Sequence, residues 1–150
     1  MNEILFIGIG NPGRQDDGLG PSIVEHIGRW NLEHVSTEID YQLCIEHAEL
    51  VQGHHSVFFV DADRHAPAPY RVNRILPSPA IAFTTHALQP EGVLAVCEQA
   101  FGHVPQAWLI GVRGYEFDLG EQLSDRAREN ENKTLCYMEE LIRSAKLERG

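Results

Sequence analysis

The sequence predicts an α/β fold, a three-layer α/β/α sandwich around a mostly parallel, twisted five-stranded sheet. Three observations carry this. Ile4–Ile9 and Val57-Phe58-Phe59-Val60 are apolar at nearly every position, the pattern of strands covered on both faces. The segments between such runs repeat their apolar residues at helical spacing. Strands and helices also alternate along all 150 residues, so neighbouring parallel strands are joined by crossover helices in a single domain, 1–150.

The elements follow in order. Glu3–Ile9 is a buried strand that runs into the glycine-rich turn Gly8-Ile9-Gly10-Asn11-Pro12-Gly13. From Asp17 onward Leu19, Ile23, Ile27 and Trp30 share one helical face, with Asp16 or Asp17 near the N-cap. Val35–Asp40 forms a second strand and roughly Ile45–Gln52 a short helix, ended by Gly53-His54-His55. Ser56–Asp61 is a third strand that ends on a carboxylate. After Pro67 and Pro69, Tyr70–Leu76 alternates like an edge strand. Pro77–Thr85 is a loop, and His86 stands at the entry to a helix that places Val93, Cys97, Ala100 and Phe101 on one face. Ala107–Val112 is a further buried strand. The last helix, Ser124–Lys146, has Leu135, Met138, Leu141, Ile142 and Ala145 as its inner stripe and Glu129, Glu131, Glu139 and Glu140 on a solvated face.

Composition narrows the function. A formal net charge of −10 repels phosphate backbones and anionic lipid, which excludes general nucleic-acid and membrane-surface binding. No apolar run approaches the ~20 residues of a membrane span, and no signal-peptide pattern is present, so a cytoplasmic protein is expected. Cys44, Cys97 and Cys136 form no CxxC pair and read as buried free thiols.

Parallel strands bring their carboxyl ends to one edge of the sheet, where ligands bind in this class of fold. Asp17 after the first strand, Asp61 after the third and His86 before a helix are therefore expected to converge. Two carboxylates and an imidazole suit a borderline divalent metal. The Gly8-x-Gly10-x-x-Gly13 spacing matches a dinucleotide fingerprint, but Pro12 lacks an amide and Asp16-Asp17 stand where pyrophosphate needs a positive dipole. Glu46-His47 borders the same cleft. Asp63 and His65 flank Asp61 in a loop, and His54-His55 lies in a solvated turn. No serine or cysteine carries the surroundings of a nucleophile.

These residues resemble the hydrogenase maturation endopeptidases. The marks are Gly8-Ile9-Gly10-Asn11 with Asp16-Asp17-Gly18-Leu19-Gly20, then Val60-Asp61-Ala62, Thr85-His86-Ala87-Leu88 and Leu109-Ile110-Gly111-Val112. The resemblance implies a protease that removes a C-terminal extension from the nickel-loaded [NiFe] hydrogenase large-subunit precursor. It implies that Asp17, Asp61 and His86 recognise nickel presented by that precursor, with no tightly bound cofactor of the enzyme's own. Asp17 and Asp61 are then the candidate catalytic groups, activating a water, and the protein is expected to act as a monomer. Where many members carry Asp-Gly-Gly-Thr-x-Gly, this chain has Asp40-Tyr41-Gln42-Leu43-Cys44-Ile45-Glu46-His47-Ala48. With Phe117-Asp118-Leu119-Gly120-Glu121, that variant resembles the branch serving soluble NAD-linked hydrogenases. Two other readings compete. A nickel-sensing chaperone would use the same trio without cleavage. A peptidyl-tRNA hydrolase-like enzyme shares the Gly8–Gly13 opening but calls for a basic face.

Overall fold

The computed structural model describes residues 3–78 and 88–149. Its elements are β1 (Ile4–Ile9), a 3-10 turn (Gln15–Gly18), α1 (Leu19–Arg29), β2 (Val35–Asp40), α2 (His47–Gln52), β3 (Ser56–Asp63), β4 (Tyr70–Ile75), α3 (Pro90–Phe101), β5 (Gln106–Arg113) and α4 (Asp125–Arg149). The strands form a five-stranded sheet in the order β2-β1-β3-β5-β4. All neighbours are parallel except β4, which runs antiparallel to β5.

Two apolar clusters on opposite faces make the three layers. Alternate residues of a strand point to opposite faces, so Phe6, Phe58, Val60, Ile110 and Val112 meet α1 and α4. Leu5, Ile7, Val57 and Phe59 meet α2 and α3 on the other face. Phe6, Phe58 and Trp108 stack successively across three strands, with centroid separations of 5.1 and 4.8 Å.

Several expectations are corrected. Asp16 and Asp17 do lie near the N-cap of α1, as expected, though neither caps it. Its N-cap is Gly18, and the two acids lie in the 3-10 turn before it. β3 continues through Ala62 and Asp63, because both pair in register with β5, so Asp63 is in a strand and not a loop. The buried stripe of α3 is Pro90, Val93, Leu94 and Cys97, whereas Ala100 and Phe101 are exposed beside the left-handed Gly102 that ends the helix. Glu131 is buried, and the Ser22 hydroxyl donates to it across the α1–α4 contact. His54 is also buried, its Nδ1–H donating to the Leu50 carbonyl at 2.9 Å. Of the three thiols only Cys97 is buried; Cys44 is half-buried and Cys136 exposed. The expected loop Pro77–Thr85 and the helix entry at His86 lie largely or wholly outside the described residues, and α3 begins at Pro90.

Candidate active site

The first strand leaves the sheet through Gly10, whose φ of +146° a side chain would strain; a Cβ there would also overlap the Asp17 carbonyl. That turn folds the chain back so that Asn11 N–H donates to Asp17 Oδ2 at 2.7 Å. Asp17 is thereby fixed beside the carboxyl ends of β1 and β3. Ile9 pairs with Asp40 on one side and Asp61 on the other, which puts both acids level at that edge. Asp61 shares the face of Val57 and Phe59, the side covered by α2 and α3.

The structure thus brings Asp17 and Asp61 together. Burial, followed by the charge of Asp17 and less strongly that of Asp63, pushes Asp61 up to about 7, although the Ala62 N–H opposes the rise. Among the described residues neither acid is ion-paired to a lysine or arginine. Two adjacent carboxylates without a cation form either a proton-sharing pair or two ligands for an incoming metal. His86, the third expected ligand, lies outside the described residues.

The neighbouring Asp16 has a different role. It is completely buried and accepts from the N–H groups of Tyr115, Glu116 and Ser124 at 2.8, 3.0 and 2.8 Å, and from the Ser124 hydroxyl at 2.7 Å. Burial works against its charge, but these donors outweigh it and hold the carboxyl below its ordinary value. No local signal marks it, because its donors come from a segment about a hundred residues downstream.

A second cluster borders this edge, as expected for Glu46-His47. One ligand atom each from Glu38, Asp40 and His47 lie within 4.8 Å of one another. The His47 ring, however, accepts from the Cys44 N–H at Nδ1 (3.0 Å), so in the neutral ring the proton sits on Nε2, 3.5 Å from Asp40 Oδ2. To ligate through Nε2, His47 would need its lone pair there and its proton on Nδ1, which the Cys44 amide already occupies. His47 therefore offers this cluster a proton, and the arrangement disfavours a metal. The Cys44 thiol is held in its protonated, less nucleophilic form: hydrogen bonding to Glu46, then burial, pushes it up. Its Sγ lies 3.3 Å from His47 Nδ1, but the Cys44 amide already occupies that lone pair.

A hollow of about 1170 Å³ lies at the opposite, amino edge of the sheet, against Ile4, Phe58, Trp108, Tyr137 and Leu141. It holds neither acid of the pair.

No protein-family model matches this sequence, and no curated protein matches it. Solved structures do match in fold. The hydrogenase maturating endopeptidase HybD from E. coli is 19% identical and superposes with a TM-score of 0.74, covering 95% of this chain and 93% of that one. The [NiFe] hydrogenase maturation protease HycI from Thermococcus kodakarensis KOD1 is 21% identical, with the same TM-score and coverage. A hydrogenase 2 maturation peptidase from a Thaumarchaeota archaeon is 21% identical at a TM-score of 0.69, covering 94% and 98%. The chain therefore has the fold of these maturation proteases over nearly its whole length.

Proposed function

We propose that this chain is an endopeptidase that removes the C-terminal extension of a nickel-loaded [NiFe] hydrogenase large-subunit precursor. The observation that carries the reading is the Asp17–Asp61 pair, without a cationic partner among the described residues, at the carboxyl edge of a fold shared with maturation proteases.

Asp17, Asp61 and His86 recognise the nickel that the precursor presents, and the enzyme holds no metal of its own. Two oxygens and one nitrogen bind nickel while leaving it free to depart with the product, as thiolates would not. Binding releases the proton of Asp61, so recognition strengthens above neutrality. For the cleavage itself, loss of that proton leaves Asp61 ionised, the form a general base needs. Its ionised form takes a proton from a water whose oxygen adds to the scissile carbonyl carbon. The same carboxyl then returns the proton to the departing amine. Asp17 orients that water and keeps Asp61 basic. The protein works as a cytoplasmic monomer, and the Asp40–Ala48 segment selects a precursor of the soluble NAD-linked kind.

Mass spectrometry of the nickel-loaded precursor incubated with the protein tests this. The expected result is loss of a short C-terminal peptide, dependent on nickel and absent with Asp17→Asn. An unchanged precursor mass alongside a stable complex makes the protein a nickel-sensing chaperone instead, and an active Asp17→Asn removes the carboxylate from the mechanism.

A further inference from the structure

The turn that carries Asp17 is under strain. Gln15 is left-handed, with φ +52°, a conformation that costs a non-glycine residue about 1 kcal/mol or more and persists only where surroundings enforce it. The enforcement comes from a segment about a hundred residues away. Gln15 N–H donates to the Gly120 carbonyl at 2.7 Å, Gly120 N–H to Gly13 at 2.9 Å and Asp16 N–H to Glu116 at 2.9 Å. The Gln15 side-chain oxygen accepts from Asp118 N–H at 3.0 Å. At the centre lies the buried Asp16 carboxylate with its four donors. These contacts clasp the 13–16 turn to the 115–124 strap, and Asp17 leaves the clasp as the very next residue.

We propose that Asp16 is a positioning residue: by gathering the strap's donors it holds the strained turn in the one place from which Asp17 faces Asp61. The reasoning is geometric. Asp16 and Asp17 are consecutive in a 3-10 turn, so anchoring one side chain inward fixes the direction of the other. The fixed direction is already used, since the Asn11 amide reaches Asp17 Oδ2. With an amide in place of the Asp16 carboxylate, an N–H group would confront N–H donors, and the strap and the strained turn would separate.

The test has two readouts, and the first does not rest on the proposed protease function. Hydrogen exchange of the Asn11 amide reports where Asp17 stands. In Asp16→Asn this amide is expected to exchange at least about tenfold faster, while core amides such as Phe59 and Ile110 keep their protection. The second readout, which rests on the protease reading, is processing kinetics: kcat falls at least about tenfold and KM rises, because Asp17 both orients the water and recognises the nickel. Ser124→Ala removes one donor to Asp16, together with the acceptor of the Ala127 N–H at the start of α4, leaves the charge, and gives a smaller change of the same kind. It carries the test if Asp16→Asn fails to fold. Wild-type Asn11 exchange in a folded Asp16→Asn, or in Ser124→Ala where that variant must serve, overturns the proposal. Unchanged kcat with accelerated Asn11 exchange overturns its functional half. A wild-type protein that cleaves no precursor defeats the protease reading alone, because the exchange result stands without it.

Discussion

Asp61 should make the protein less stable than it need be, by an amount that follows from its environment. Its carboxyl rises from 3.8 in the unfolded chain to about 7 in the folded one. The folded state therefore binds more protons between these values, and stability is lost as pH climbs from the lower to the higher. With each unit equal to about 1.4 kcal/mol, a gap of about three units removes about 4 kcal/mol once pH exceeds 7. That is a large share of the ~5–15 kcal/mol typical of a domain. Asp61→Asn mimics the protonated form and escapes the loss. Urea denaturation should find the variant about 4 kcal/mol more stable than wild type at pH 8 and about 2 kcal/mol more stable at pH 5, where less than half of the loss has accrued. Asp17→Asn should recover part of the same gain, since the charge of Asp17 is the second cause of the shift after burial. A stability difference that does not widen between pH 5 and pH 8 would refute the reasoning, because it would mean Asp61 titrates at its ordinary value.

Two further outcomes test other parts of the structure. Gly20→Ala should cost about 3 kcal/mol in a thermal or urea melt, because its Cβ would overlap the Val60 carbonyl and lie 2.6 Å from the Ile9 carbonyl, prising α1 off the sheet; a wild-type melting point would show that the close approach has slack. Timed alkylation at pH 7.5, read by peptide mass spectrometry, should modify exposed Cys136 first, then Cys44, and leave Cys97 untouched while the fold holds. Glu46→Gln should speed Cys44 at least about threefold by removing the carboxylate that keeps its thiol protonated, and an unchanged rate would place Glu46 away from the sulfur.

Much of the fold was legible because its signals are local. Unbroken apolar runs marked β1 and β3, and helical spacing marked α1 and α4, since a strand buried on both faces and a helix buried on one must advertise it in their own residues. The errors arose where a residue's fate depends on a distant partner. Nothing near Glu131 in sequence announces that Ser22 waits across the helix interface, nor does Gly53-His54-His55 reveal which imidazole turns inward to Leu50. The strand end after Asp61 was misplaced for the same reason, because the pairing that extends it belongs to β5.

The doubled acid shows how this division bears on the site. Asp16 and Asp17 carry the same functional group one residue apart, and local signals place either of them near the start of the helix. A strap about a hundred residues downstream decides between them. It supplies N–H and hydroxyl donors to one carboxylate, which is held ionised and silent in the interior. It supplies none to the other, whose charge is left to act on Asp61 across the sheet edge. Chemistry at that edge thus depends on an asymmetry created by tertiary structure between two identical side chains. Sequence placed the pair at the correct edge of the correct strand, because the glycine turn fixes where β1 ends. Which of the two faces Asp61 follows from the fold alone, and the fold selects the one whose partner is another carboxylate.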